Sequence, residues 1–165
     1  PILEEIKLWG DFPLIAAGGI WSHDDIAAML EKGARGVQMG TRFIGTHECD
    51  AADTFKKVLL KATQEEIQLF KSPVGYPARG VRTNLIQMVE KKEGPAIRCV
   101  SNCVSPCHRG QEAKAVGYCI ADRFFDAYDG RVETGLFFTG ANGYKLNEII
   151  SVKELMTKLV HGETY

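Results

Sequence analysis

The chain has 165 residues, 45% of them hydrophobic and 25% charged, with a formal net charge of -1. That balance belongs to a globular fold with a real core and gives no basic surface for nucleic acid or an anionic membrane. No apolar stretch reaches the roughly 20 residues of a bilayer crossing and no signal peptide is visible, so the cytoplasm is the expected compartment.

The opening "PILEEIKLWGDF" lacks an initiator Met and reads as the second half of an amphipathic helix, with Ile2, Ile6 and Trp9 at helical spacing. The expectation is the C-terminal portion of a longer protein; ordinary processing at the N-terminus is the alternative. "PLIAAG", 13–18, is short, apolar and bounded by Pro and Gly, the pattern of a parallel strand buried on both faces. A helix over 22–33 follows. Ser22 and Asp25 form a capping-box-like start, Ile26, Met29 and Leu30 the inward stripe, and Gly33 the stop. "RGVQMG", 35–40, reads as a second strand, so residues 1–40 spell helix, strand, helix, strand, the grammar of βα units in a parallel sheet.

A helix is expected at about 50–62, with Phe55, Val58, Leu59 and Ala62 on one face, then a more exposed strand at 66–72. "SPVGYPARG", 72–80, reads as a shaped loop, and 81–93 as a helix. From about 95 the character changes: four of the five cysteines lie in 95–119, with little periodicity. The predicted division is therefore 1–94 and a cysteine-containing extension, 95–165. The extension holds a helix at about 119–128, an apolar run ending in the glycine-rich "TGANG", and a terminal helix at 151–160. Ser151 and Glu154 cap that helix, with Val152, Leu155, Met156, Leu159 and Val160 on one face.

Two consecutive strands thus end in glycine, at Gly18–Gly19 and at Gly40. Ligands bind parallel α/β folds at the carboxyl ends of strands, and a glycine there lets the backbone come close to them. The start of the 22–33 helix adds N–H groups and the positive end of a dipole. Two readings fit: a phosphate cradle, or glycines that only permit tight βα turns.

The stretch "PLIAAGGIWSHDDIAAMLEKGARGVQMGTRFIGTHEC" resembles the FMN-binding segment of the nitronate monooxygenase (2-nitropropane dioxygenase) family. The related flavin-dependent enoyl-acyl-carrier-protein reductases carry a similar segment. The resemblance is close over residues 1–85, through "FKKVLLKA" and "GYPARGVRTNL", and looser at "GLFFTGANGYKL". It implies an α/β fold comprising the last two βα units of a TIM-type (β/α)8 barrel, with FMN at the carboxyl face. Gly19 and the run Gln38, Met39, Gly40 and Thr41 would hold FMN, chiefly its phosphate, through backbone N–H groups and the Thr41 hydroxyl. Gly18 would supply clearance, and Gly140 and Ala141 would approach the flavin. Arg42 fits either a phosphate partner or a structural ion pair.

The family carries its catalytic histidine in a G-G-H motif upstream of "AAGGI", and this sequence has none. His23, His47, His108 and His161 read as solvated or capping residues. The catalytic residue is therefore unknown and expected upstream. A closed barrel takes about 250 residues, so this length alone is expected to bind FMN poorly and to be inactive. Cys99, Cys103, Cys107 and Cys119, spaced x3, x3 and x11, allow an iron–sulfur cluster or zinc. Apolar packing, disulfides or unliganded thiols are the competing readings, and Cys49 reads as structural. The functional expectation is an FMN-dependent oxidoreductase acting on a small molecule such as an alkyl nitronate. The partners expected are the missing N-terminal half or a second copy. The rival readings are a flavin-dependent enoyl reductase and a non-catalytic phosphate- or nucleotide-binding module.

Overall fold

The computed structural model describes residues 5, 6, 8–103, 107 and 110–162. The chain forms two compact units, Pro1–Cys49 with Ile149–Tyr165, and Asp50–Glu148. The division predicted between residues 94 and 95 falls inside the second of them.

In the first unit, β1 (Ile15–Ala17) and β2 (Gly36–Gln38) pair in parallel, with Ile15 beside Gly36, Ala16 beside Val37 and Ala17 beside Gln38. Between them runs α1 (His23–Glu31), and its start follows directly from local chemistry. Ser22 Oγ accepts from the Asp25 N–H at 3.3 Å, while Asp25 Oδ2 accepts from the N–H groups of Ser22 at 3.0 Å and Trp21 at 2.9 Å. The helix stops at Gly33, whose φ of +92° is the left-handed exit that favours glycine. Ile26 and Met29 pack onto Ala16, Ile20 and Ala34 as the stripe requires. Leu30 departs from the expectation: it is exposed, beside Met156 and Val160 in an apolar groove of about 380 Å³. β1 also differs, since only Ala16 is buried while Ile15 and Ala17 face out. Alternate side chains of a strand point to opposite faces, and α1 packs on one of them.

A single turn of helix, α2 (Thr41–Ile44), leaves β2 directly. The far end of the chain completes this unit. Ile150 bridges Thr46 in parallel fashion, and its cluster with Leu155 and Leu159 packs against Ile26, Met39 and Phe43. Leu155 and Leu159 belong to the terminal helix, Val152–His161. Ser151 Oγ accepts from the Glu154 N–H at 3.1 Å, and the Glu48 carboxylate accepts from the Val152 N–H at 2.9 Å. Met156 and Val160, expected on the packed face, are exposed. At the other end, Glu5 and Ile6 are helical, Leu8–Trp9 form a turn, and Trp9 is 80% exposed. Ile2, expected on the same stripe, lies outside the described residues.

The second unit opens with α3 (Asp53–Lys61), which buries Phe55 and Leu59; the Phe55 ring lies 4.9 Å from that of Phe137. An antiparallel hairpin follows, β3 (Ile67–Phe70) against β4 (Ala78–Val81), with Ile67 beside Val81 and Phe70 beside Ala78. The loop expected over 72–80 therefore ends early, at Pro77. Gly80 makes β4 possible: a Cβ there would sit 2.4 Å from the Phe137 carbonyl oxygen, whose residue accepts from the Val81 N–H at 2.9 Å. The helix expected from 81 begins later, as α4 (Asn84–Glu90), because Val81 belongs to that strand. Leu85 and Ile86 form a core with Tyr118 and Leu136. Tyr118 donates its hydroxyl to the Lys71 carbonyl at 2.6 Å, and burial pushes its phenol up to about 12.

Two more helices, α5 (Gln111–Val116) and α6 (Ile120–Tyr128), follow in this unit, so the terminal helix is α7. α6 buries its polar face. Arg123 lies between the carboxylates of Asp122 and Asp126, all three buried, while Phe124, Phe125 and Tyr128 are exposed. Burial pushes the Asp122 carboxyl up, but hydrogen bonds from Arg123 and Arg98 outweigh it and hold the group below its ordinary value. No helix among the described residues is long and apolar enough to cross a membrane.

Candidate functional site

Parallel register decides where the glycines go. Because Ala17 lies beside Gln38, Gly18–Gly19 and Met39–Gly40–Thr41 leave the sheet side by side at its carboxyl end. Gly18 and Gly19 have φ values of +85° and +74°, a conformation that costs an L side chain roughly 1–2 kcal/mol. A Cβ added at Gly18, Gly19 or Gly40 would meet nothing within 4 Å. Open space therefore lies where a side chain would stand at each of the three.

Gly18, Gly19, Gln38 and Gly40 are exposed, and Thr41 is half-buried. Met39 points its side chain into the core against Ile150, Leu155 and Leu159, so it can offer a ligand only its main chain. Gly40 caps α2, its carbonyl accepting from the Phe43 N–H at 2.9 Å and the Ile44 N–H at 3.3 Å. Such a cradle suits the phosphate of a nucleotide-like cofactor, because closely approached main-chain donors hold an anion without a buried countercharge.

The start of α1 is a different matter. The N–H groups of Trp21 and Ser22, just ahead of its first helical residue, donate to the Asp25 carboxylate, and the Asp25 N–H donates to Ser22 Oγ. Arg42, expected at a phosphate or in an ion pair, is 5% exposed with its guanidinium carbon 4.8 Å from the centre of the Trp21 ring. Trp21 itself is buried, a role the sequence signals only by placing a tryptophan two residues after the glycine pair.

Gly140 and Ala141 belong to the second unit and are exposed. They form a tight turn closed by the Gly143 N–H donating to the Gly140 carbonyl at 3.0 Å. A Cβ at Gly143 would sit 1.9 Å from Thr139 Oγ1, so the turn needs glycine there for its own packing.

The histidines hold no catalytic arrangement among the described residues. His23 Nδ1 lies 3.0 Å from the Leu159 carbonyl, fastening α1 to the end of α7, while His47 and His161 are exposed. His108 lies outside the described residues. Cys107 and Cys119 are buried in an apolar cluster with Ala113, against which Cys103 packs, whereas Cys99 is exposed. Among the described residues no three His, Cys, Asp or Glu side chains come together to hold a metal ion. Cys107 and Cys119, with Cys103 against them, thus pack as small apolar side chains, and all five cysteines are free of disulfides. Cys49 is half-buried in the first unit.

Comparison with known proteins bears on these observations. The family model for nitronate monooxygenase matches residues 2–162. A "probable nitronate monooxygenase" of Staphylococcus aureus (strain Newman) is 32% identical over 82 residues, covering 50% of this chain and 23% of that protein. The "(3aS,4S,5R,7aS)-5-hydroxy-7a-methyl-1-oxo-octahydro-1H-indene-4-carboxyl-CoA dehydrogenase" of Rhodococcus jostii (strain RHA1) is 36% identical over 80 residues, 48% of this chain and 23% of that protein. Among solved structures, FabK from Thermotoga maritima superposes with a TM-score of 0.74 at 25% identity, covering 97% of this chain and 47% of that one. The chain thus spans less than half the length of these relatives.

Proposed function

Starting from the fact that the chain belongs to the nitronate monooxygenase family, we propose that it forms the cofactor-phosphate end of an FMN-dependent oxidoreductase. In this reading β1–α1–β2–α2 supplies two βα units of a TIM-type barrel. The observation that carries it is the in-register pair of parallel strands whose ends bring Gly18–Gly19 beside Gly40, with open space where a Cβ would stand at each of the three. Main-chain N–H groups of Gly19, Gly40 and Thr41 and the Thr41 hydroxyl would hold the phosphate. Gln38 and Met39 would line it with backbone, and Gly18 would leave clearance; Gly140 and Ala141 keep only the flavin contact that the family resemblance implies. FMN supplies the redox chemistry when bound, accepting an electron pair from the substrate; the chain's part is to hold the cofactor's anionic tail.

The substrate in this reading is a small alkyl nitronate, and the group that handles its proton lies outside these residues. His23 is committed to the Leu159 carbonyl, and no G-G-H motif is present. In this reading the work would be done in the cytoplasm. FMN content of the intact purified gene product tests the proposal: about one flavin per chain is expected, restored by added FMN after stripping. A product that is colourless and takes up no FMN would overturn it in favour of a non-catalytic phosphate-binding module. Oxygen uptake with an alkyl nitronate, set against NADH oxidation driven by an enoyl thioester, then separates the nitronate reading from an enoyl reductase.

A further inference from the structure

Trp21 and Arg42 stand immediately behind the two glycine-bearing strand ends. Trp21 follows Gly19 by two residues, and Arg42 follows Thr41 directly. Both side chains are buried, and the guanidinium carbon lies 4.8 Å from the ring centre, the geometry of a cation–π contact. Such a contact joins the stretch entering α1 to the first turn of α2.

Each side of this contact is held from behind. The Trp21 N–H donates to Asp25 Oδ2 at 2.9 Å, fixing the backbone after Gly19 to the first turn of α1. Phe43, next to Arg42, packs against Ile150, Leu155 and Leu159, fixing α2 to the core. Burying a guanidinium is costly unless something compensates it, and the Trp21 face is one compensation on view here.

We infer that the Trp21–Arg42 stack is a brace that sets the spacing between the two strand-end turns, and so gives the site its preference for a phosphate-bearing flavin. The inference rests on the FMN reading above. Its physical basis is that donors from two separate turns must reach one anion together. N–H···O bonds are good only within about 2.7–3.2 Å, so relative movement of the turns by an ångström loses part of the set. Both residues are positioning residues; neither is assigned a contact with the cofactor.

FMN and riboflavin differ only by the phosphate, so the ratio of their Kd values isolates the grip on the anion. The intact gene product, stripped of flavin, is titrated with each and followed by flavin fluorescence. Trp21→Leu and Arg42→Met are each expected to weaken FMN binding by about tenfold while riboflavin binding changes by less than about threefold. Trp21→Phe and Arg42→Lys should each lose about threefold of the preference, midway between the parent and the truncations, and the double variant Trp21→Leu/Arg42→Met should be no worse than the weaker single one.

Equal losses for both flavins would overturn the brace, since a general packing role predicts that result. A loss of FMN preference in Arg42→Met but none in Trp21→Leu would also overturn it, because the charge would then be acting on the phosphate directly. If the truncations do not fold, the conservative pair decides: a graded fall in FMN preference supports the brace and an unchanged preference rejects it. A parent protein that binds both flavins equally removes the FMN reading itself and the brace with it, a failure recognisable before any variant is made.

Discussion

At the scale of single residues, Gly19 and Gly40 look alike in their surroundings and differ in their backbone. Both face open space, but φ is +74° at Gly19 and -110° at Gly40. An alanine at 19 is forced into the left-handed region at a cost of about 1–2 kcal/mol. An alanine at 40 fits the backbone and loses only the mild advantage of glycine as a helix cap, less than about 1 kcal/mol. If these amides hold a phosphate, a methyl group at either position intrudes on the anion. Urea melts paired with FMN titrations of the intact protein should therefore show Gly19→Ala less stable than Gly40→Ala, with FMN affinity lowered about tenfold in both. Undiminished FMN affinity in Gly40→Ala would take that turn out of the site.

At the scale of elements, α6 is the informative case because it packs polar side inward. Asp122, Arg123 and Asp126 are buried together, and Arg98 and Arg131 close the network from outside with ion pairs at 2.9 and 2.6 Å. Removing one member leaves a buried charge short of a partner, so Asp122→Asn should cost about 3 kcal/mol near neutral pH, the lower end of the range because Arg123 keeps Asp126. The sign with pH follows from the depressed carboxyl. The unfolded chain takes up the proton first as acid is added, so the contribution is complete above about pH 5 and fades as pH falls past the ordinary aspartate value near 4. The stability gap between parent and variant, measured in urea, should therefore narrow from pH 7 toward about pH 3. A gap that stays constant would mean that the carboxylate's charge is not what matters there.

What the sequence shows at this scale is whatever is decided locally. The starts of α1 and α7 are legible because Ser22 and Ser151 cap N–H groups only three residues away. The parallel pair β1–β2 is legible because two short apolar runs flank one helix. β4 is not, since its Ala-Arg-Gly-Val sequence has no strand pattern of its own and depends on the distant Phe137 carbonyl coming close to Gly80. Spacing likewise cannot tell thiols that converge on a metal from thiols that pack with Ala113, as Cys107 and Cys119 do. The glycines of the candidate site are visible as letters, whereas the stack beneath them is not. A charged residue reads as surface until a ring from elsewhere in the chain covers it, as Trp21 covers Arg42.

At the scale of the whole molecule, the first unit is made from both ends of the chain, Pro1–Cys49 and Ile149–Tyr165, with Asp50–Glu148 inserted between. Such a unit depends on contacts that are remote in sequence, and α7 supplies them through Leu155 and Leu159 against Ile26, Met39 and Phe43. Both tryptophans, Trp9 and Trp21, lie in this unit, so tryptophan emission reports on it alone. Trp9 is 80% exposed and Trp21 8%, which makes Trp21 the sensitive probe once Trp9→Phe has removed the other. Leu155 is fully buried, and truncating such a leucine to alanine costs about 2–5 kcal/mol. In the Trp9→Phe background, Leu155→Ala should move the Trp21 emission transition to clearly lower urea. Met156→Ala, one residue along on an exposed face, should move it little. If the two substitutions shift the transition equally, burial along α7 is not what closes the unit. If Leu155→Ala leaves it in place, the N-terminal strands and helices hold Trp21 without help from the chain's other end.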